Sequence, residues 1–167
     1  MKDIWQNFLA GLEKYSSELI KEINPPATEA QLEKARTLLG PLFHPELEEL
    51  YKIANGFAPG AYLLRDDYRI LPLEEMIEKS LAIIGTTVPT DFEAGEYTTL
   101  KKLKLLVFAI AKEEDEDVEQ VSISIKRGKT DISLWYKEGG IHDFEEVVST
   151  SETLKEWLTV VVEEYYA

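Results

Sequence analysis

Between Lys104 and Tyr136 the chain carries consecutive stretches of strand character, joined by links too short to hold a helix. "KLLVFAIA", Lys104 to Ala111, is apolar at nearly every position, as suits a central strand covered on both faces. "VEQVSISIKR" alternates Val121, Ile123 and Ile125 with Ser122 and Ser124, the pattern of one buried and one wet face. "DISLWYKEG" alternates Ile132, Leu134 and Tyr136 with Ser133 and Trp135. A parallel crossover needs roughly a dozen residues or more, whereas the links "KEEDED" and "RGKT" are turn-length. An antiparallel meander is therefore expected, and the rest of the chain has to pack around it.

What precedes the meander has helical periodicity. Ile4, Phe8, Leu9, Leu12, Tyr15, Leu19, Ile20 and Ile23 share one helical face. One helix is expected there, capped at Asp3 and ended by "NPP" at Asn24–Pro26. In "ATEAQLEKARTLLGP", Thr28 and Gln31 have the spacing of a capping box. Leu32, Ala35, Leu38 and Leu39 supply a buried stripe, and Gly40 with Pro41 ends the segment. Pro45 stands at a first helical position with His44 before it as a cap, and Leu47, Leu50, Tyr51 and Ile53 face inward. That second arm of a helical hairpin halts on Asn55-Gly56. A helix end often needs a left-handed residue, which Gly adopts cheaply and Asn tolerates. Asn55-Gly56 is expected to turn the chain from the hairpin into the sheet.

From Tyr62 the period changes. "AYLLRDDYRIL" suggests two short strands about a turn at Asp66-Asp67. "PLEEMIEKSLAII", from Pro72, reads as a helix carrying Leu73, Met76, Ile77 and Leu81 inward. Gly85 to Thr99 is rich in breakers and reads as a surface excursion. After a short "IHDF" segment, Thr150 or Ser151 is expected to cap a last helix bearing Leu154, Trp157, Leu158, Val161, Val162 and Tyr165. The sum is an α+β fold: a central, mainly antiparallel sheet with helices packed at the N- and C-terminal ends. At 167 residues the chain is expected to form a single domain, 1–167.

Function classes are narrowed by what chemistry requires. Without cysteine there is no disulfide, iron–sulfur cluster, thiolate zinc site or thiol nucleophile. The two histidines, His44 and His142, lie in no nucleophile motif and show no metal-pair spacing. "EGG" at Glu138–Gly140 is a turn signal, not a phosphate loop. No enzyme, cofactor or metal is expected. The formal charge of −14, from 32 acidic and 18 basic residues, repels nucleic acid and attracts a basic protein, besides favouring solubility. A helical hairpin invites a DNA-binding reading, but Glu46, Glu48 and Glu49 against Lys52 carry the wrong sign for phosphate.

The acidic run Glu113, Glu114, Asp115, Glu116 and Asp117 lacks the ladder and Gly of a calcium loop. It reads as a solvated hairpin turn or as a contact for a basic partner. Of Trp5, Trp135 and Trp157, the last lies on an apolar helical face. Trp135 stands opposite Ile132, Leu134 and Tyr136, beside serines, which makes it a candidate anchor for a partner or a residue packed under a helix. The N-terminal segment has no signal-peptide core and no run reaches the ~18 apolar residues of a membrane span, so a cytoplasmic protein without membrane insertion is expected.

With this order of elements the chain resembles the SUKH superfamily. The likeness rests on "PPATEAQLEKARTLLGPLFHPELEELYKIANGF", Pro25 to Phe57. There Thr28, Leu32, Leu39, Gly40, Pro45, Leu50, Asn55 and Gly56 fill the places of the family pattern. "LPLEEM", "LVFAIAKEEDEDVEQVSISI" and "SETLKEWL" resemble later family segments, although the loop at Glu113–Asp117 is acidic where the family's is usually Gly- and Asp-rich. The group takes in a yeast regulator of cell-wall glucan synthesis, the bacterial Syd protein and many immunity proteins of toxin systems. The resemblance implies a protein-binding module with no catalytic set to transfer. The leading expectation is an immunity protein that neutralises a basic, nuclease-like toxin through an acidic surface. The alternative is an intracellular regulatory scaffold for cell-wall assembly or growth.

Overall fold

The computed structural model describes residues 1–64, 68–83, 87–91, 94–99, 105–111, 118–126, 129–137, 144–151 and 153–166. Side chains are described for 1–64, 68–82, 94–95, 106–110 and 153–162. The meander is present, with strands β4 (Leu105–Ala111), β5 (Val118–Lys126) and β6 (Lys129–Lys137) pairing antiparallel in chain order. β5 and β6 run in regular register, Val121 opposite Leu134, Ser122 opposite Ser133 and Ile123 opposite Ile132, so their alternations stay in phase.

Two further strands complete a five-stranded antiparallel sheet. β1 (Tyr68–Ile70) pairs with Ala109–Ala111 at one edge, and β7 (Phe144–Ser151) pairs with β6 at the other. Of the two strands expected in "AYLLRDDYRIL", the first is reduced to a single bridge, Leu64 with Tyr68. β7 was not expected. Its register skips Val147 and Thr150, because Leu134 opposes Val148 while Trp135 opposes Glu146, and Ser133 opposes Ser149 while Ile132 opposes Ser151. Two such bulges destroy the period of two by which a strand is recognised. Thr150 and Ser151 therefore belong to this strand and do not cap the last helix. That helix, α5 (Leu154–Tyr166), is capped by Thr153, whose Oγ1 accepts the Glu156 N–H at 3.1 Å. The breaker-rich Gly85–Thr99 segment holds a separate hairpin of β2 (Thr87–Asp91) and β3 (Glu96–Thr99), with Gly95 at φ 67° in the turn.

α1 (Lys2–Tyr15) is shorter than its apolar stripe suggests. The chain goes extended at Ser16 (φ −164°, ψ 109°) and then makes a 3-10 helix, Ser17–Glu22. Serine side chains compete for backbone groups, so a Ser-Ser pair is a natural place for a helix to fail. Asp3 lies in the first turn and does not cap; the cap position is Met1. Trp5, Phe8, Gly11 and Leu12 are buried, whereas Tyr15, the last residue before the break, is 79% exposed.

α2 (Glu29–Leu39), α3 (Pro45–Ile53) and α4 (Leu73–Ile83) follow, with a 3-10 turn at Gly40–Leu42 between the first two. On α2, Leu32, Ala35 and Leu39 are buried, but Leu38 is 45% exposed. On α4, Leu73, Met76, Ile77 and Ser80 form the buried i, i+3, i+4, i+7 face, and Leu81 falls outside it. Ser80 is buried because it serves the sheet: its Oγ donates to Val107 O (3.2 Å) and accepts from Val107 N–H (3.1 Å). α5 touches α1, α3, β6 and β7, α2 lies on α4, and α4 lies on β4. Two aromatic groups hold these layers. Trp5 meets Phe8 edge-on at 5.2 Å and Phe57 at 6.1 Å, while Trp157 of α5 meets Phe108 at 5.2 Å and Tyr68 at 6.0 Å. Each such pair contributes about 0.5–1.5 kcal/mol beyond its buried area. Trp5 and Trp157, both 3% exposed, are core residues and not surface anchors.

Candidate interaction surface

The helical hairpin is built from local chemistry. Thr28 Oγ1 accepts the Gln31 N–H at 3.2 Å while Gln31 Oε1 accepts the Thr28 N–H at 2.8 Å, closing the capping box of α2. Gly40 follows α2 with φ 54° and ψ −127°, and nothing lies within 4 Å of where a Cβ would stand. Pro45 opens α3, where its missing N–H is not needed, and His44 Nδ1 accepts the Glu46 N–H at 3.2 Å. Since Nδ1 is the acceptor, His44 is neutral, and burial holds its pKa below the ordinary value, partly opposed by the Glu46 charge.

Asn55-Gly56 does not end α3 with a left-handed cap. The C-cap is Ala54, in extended conformation, and the positive φ of 69° falls two residues later, at Gly56. There the backbone passes so near β1's exit that an added Cβ would stand 2.6 Å from Leu71 C and Pro72 N. Asn55 Oδ1 accepts the N–H of Leu73, the first residue of α4, at 2.8 Å. Pro72, just before it, offers no side-chain acceptor, so Asn55 caps this helix from a distance. Asn55 N–H donates to Pro25 O (3.0 Å), Asn24 Nδ2 to Asn55 O (2.9 Å), and Asn24 N–H to Gly56 O (3.0 Å). The dipeptide ties together the segment before α2, the end of α3 and the start of α4.

The charges on α2 and α3 are organised by one guanidinium. Arg36 Nη1 donates to Glu29 (2.6 Å) and Glu33 (2.9 Å), and its Nε (2.5 Å) and Nη2 both reach Glu48 Oε1. One positive and three negative groups leave two negative charges on this face. Hydrogen bonding and charge from Arg36 hold the Glu29 carboxyl below its ordinary range, and the same carboxylates raise Arg36. Glu46 also works inside the fold: its Oε2 accepts the Leu154 N–H at 3.3 Å, joining the start of α3 to the start of α5. Of the α3 glutamates, Glu49 stays open to solvent at 57% exposure, 3.7 Å from the Met1 ammonium. The arrangement can present negative charge, but part of it is committed to internal partners.

Arg36 was not singled out by sequence reasoning, nor was the pair Arg69–Glu75. Arg69, 4% exposed, donates Nε to Ala58 O (2.9 Å) and binds Glu75 through both terminal nitrogens at 3.1 and 2.9 Å. A lone arginine inside the apolar "YRIL" was the available signal. The acidic run Glu113, Glu114, Asp115, Glu116 and Asp117 lies outside the described residues, as does His142. Trp135 stands on β6 opposite Gln120 and Glu146, with its side chain outside the described ones. Among the described residues, no group of three or more His, Asp or Glu is placed to hold a metal ion, and no helix is long and apolar enough to cross a membrane.

No curated protein matches the chain. The profile of the SMI1 / KNR4 family (SUKH-1) matches residues 26–160, a span running from the residues before α2 through the whole sheet into α5. With most of its length matched and an α+β fold carrying the capped hairpin, the chain belongs to the SMI1 / KNR4 family (SUKH-1).

Proposed function

We propose that this protein is a binding module that acts as an immunity protein, occluding a cognate toxin by surface contact and not by transforming a metabolite. The observation that carries this reading is a net charge of −14 on a chain that belongs to the SUKH-1 family over residues 26–160. Immunity proteins of toxin systems are among the members of the wider superfamily. A strongly negative exterior speeds encounter with a basic surface, and packed anchors then set the residence time. A nuclease-like toxin must keep a basic cleft for its substrate, and an acidic protein seated there excludes nucleic acid. Glu29, Glu33 and Glu49 on α2 and α3 supply exposed carboxylates, and the sequence adds five consecutive acidic residues at Glu113–Asp117.

The test is affinity capture with mass spectrometry, followed by co-expression with whatever binds. Rescue of growth from a co-expressed toxic partner supports the proposal. Capture of a cell-wall or growth regulator, with no protection against any toxin, supports the regulatory scaffold instead, which the same family membership also accommodates.

A further inference from the structure

We propose that Asn55-Gly56 is a deamidation site gated by folding: closed while the hydrogen bonds around it are intact, reactive once they open, and damaging to refolding once modified. The chain has three asparagines, and their successors differ decisively. Asn24 precedes Pro25, which has no N–H and cannot form the nucleophilic amide anion; Asn7 precedes bulky Phe8; Asn55 precedes Gly, whose nitrogen is unhindered. The Gly56 main-chain nitrogen, having lost its proton to solvent base, attacks Asn55 Cγ. The new C–N bond closes a cyclic imide as the Cγ–Nδ2 bond breaks, and Nδ2 takes up a proton and leaves as ammonia. Water then adds to one imide carbonyl and its C–N bond breaks. Opening at Cγ leaves aspartate, whereas opening at the main-chain carbonyl leaves isoaspartate, in which the backbone runs through Cβ and Cγ. The net change is water in and ammonia out.

In the folded chain the atoms that must move are held on both sides. Asn55 Oδ1 is engaged by Leu73 N–H, Asn55 N–H by Pro25 O, Asn55 O by Asn24 Nδ2 and Gly56 O by Asn24 N–H. Phe57 N–H, on the far side of Gly56, is bonded to Ile70 O at 2.9 Å. Rotation of the Asn55 side chain toward the Gly56 nitrogen requires release of Leu73. The products then differ. Aspartate keeps an acceptor for Leu73 N–H at a helix N-terminus, where negative charge is favoured. Isoaspartate adds a methylene to the main chain beside Gly56, where even a Cβ would stand 2.6 Å from the backbone of Leu71 and Pro72.

The experiment incubates the full chain at mildly alkaline pH, native and in urea, and maps asparagine conversion by peptide mass spectrometry that resolves aspartate from isoaspartate. Conversion at Asn55 is expected to be roughly tenfold or more slower in the native protein, as for any reaction that waits on local opening. Asn24→Ala, which removes one tie, should speed conversion in the native protein. In urea, Asn7 and Asn24 should lag far behind Asn55. Equal rates at Asn55 with and without urea, or an unaltered native rate in Asn24→Ala, would overturn the gating. After removal of urea, the isoaspartate fraction should fail to regain the wild-type melting transition, whereas an Asn55→Asp chain regains it. An isoaspartate chain that melts like wild type would overturn the effect on refolding.

Discussion

Gly56 and Gly40 share a positive φ, 69° and 54°, but not their surroundings. At Gly40 a Cβ meets open space, so alanine there carries only the backbone penalty, about 1–2 kcal/mol. At Gly56 the same methyl collides with the backbone of Leu71 and Pro72, which adds an overpacking cost of about 1–3 kcal/mol. Urea melts of the two variants should therefore rank Gly56→Ala well below Gly40→Ala; equal losses would show that the close approach does not matter. Asn55 gives a second contrast. Asn55→Ala leaves the Leu73 N–H of a fully buried residue without its acceptor, a loss of about 1–3 kcal/mol, while Asn55→Asp should stay near wild type. His44 adds a pH signature. Its native pKa lies below the ordinary 6.5, so just below that pH the unfolded chain binds more protons than the native one. Stability is thus full above pH 6.5 and falls as acid is added through the native pKa. His44→Asn, a cap that does not titrate, should flatten this part of the curve; a wild-type slope in that variant would assign the effect to other groups.

At the scale of elements, the helices whose ends are decided within a turn were legible: Thr28 with Gln31, and His44-Pro45. The stripes were less so, because α2 hides Leu39 but not Leu38, and α4 hides Ser80 but not Leu81. Neighbouring apolar residues compete for one face, and the position of the layer beneath decides between them. Ser80 is chosen by Val107, 27 residues away, whose N–H and C=O it satisfies. Ser80→Ala should cost about 1–3 kcal/mol through those two unpaired groups, whereas Leu81→Ala should stay within about 1 kcal/mol. Thermal melts of the pair check the assignment, and equal losses would contradict it. β7 and the β2–β3 hairpin carry no clear strand pattern, for related reasons: bulges at Val147 and Thr150 break the alternation, and Pro89 sits inside a strand where proline is disfavoured.

For the molecule as a whole, charge is the property that reaches furthest. If the net charge of −14 steers a basic partner, affinity should drop as salt rises toward about 0.15 M, where screening acts over roughly 8 Å. The drop should reside mainly in the association rate. Titration of the captured partner at several salt concentrations measures it, and binding that ignores salt would remove steering from the mechanism. Composition alone announced this charge. How much of it is free for a partner was not legible, because Arg36 collects Glu29, Glu33 and Glu48, and Glu46 turns to α5.

The antiparallel meander, the capped helical hairpin and the net negative charge were legible from the amino acids alone. Each follows from residues a few positions apart or from a simple sum of charges. Tertiary structure alone decided that Asn55 caps a helix beginning 18 residues later, that Asn24 locks a dipeptide 31 residues on, and that Glu46 joins a helix start 108 residues away. Those bonds exist only once the chain has closed on itself. Local preference sets which donors and acceptors a segment leaves open, and the packed fold chooses which distant partner fills them.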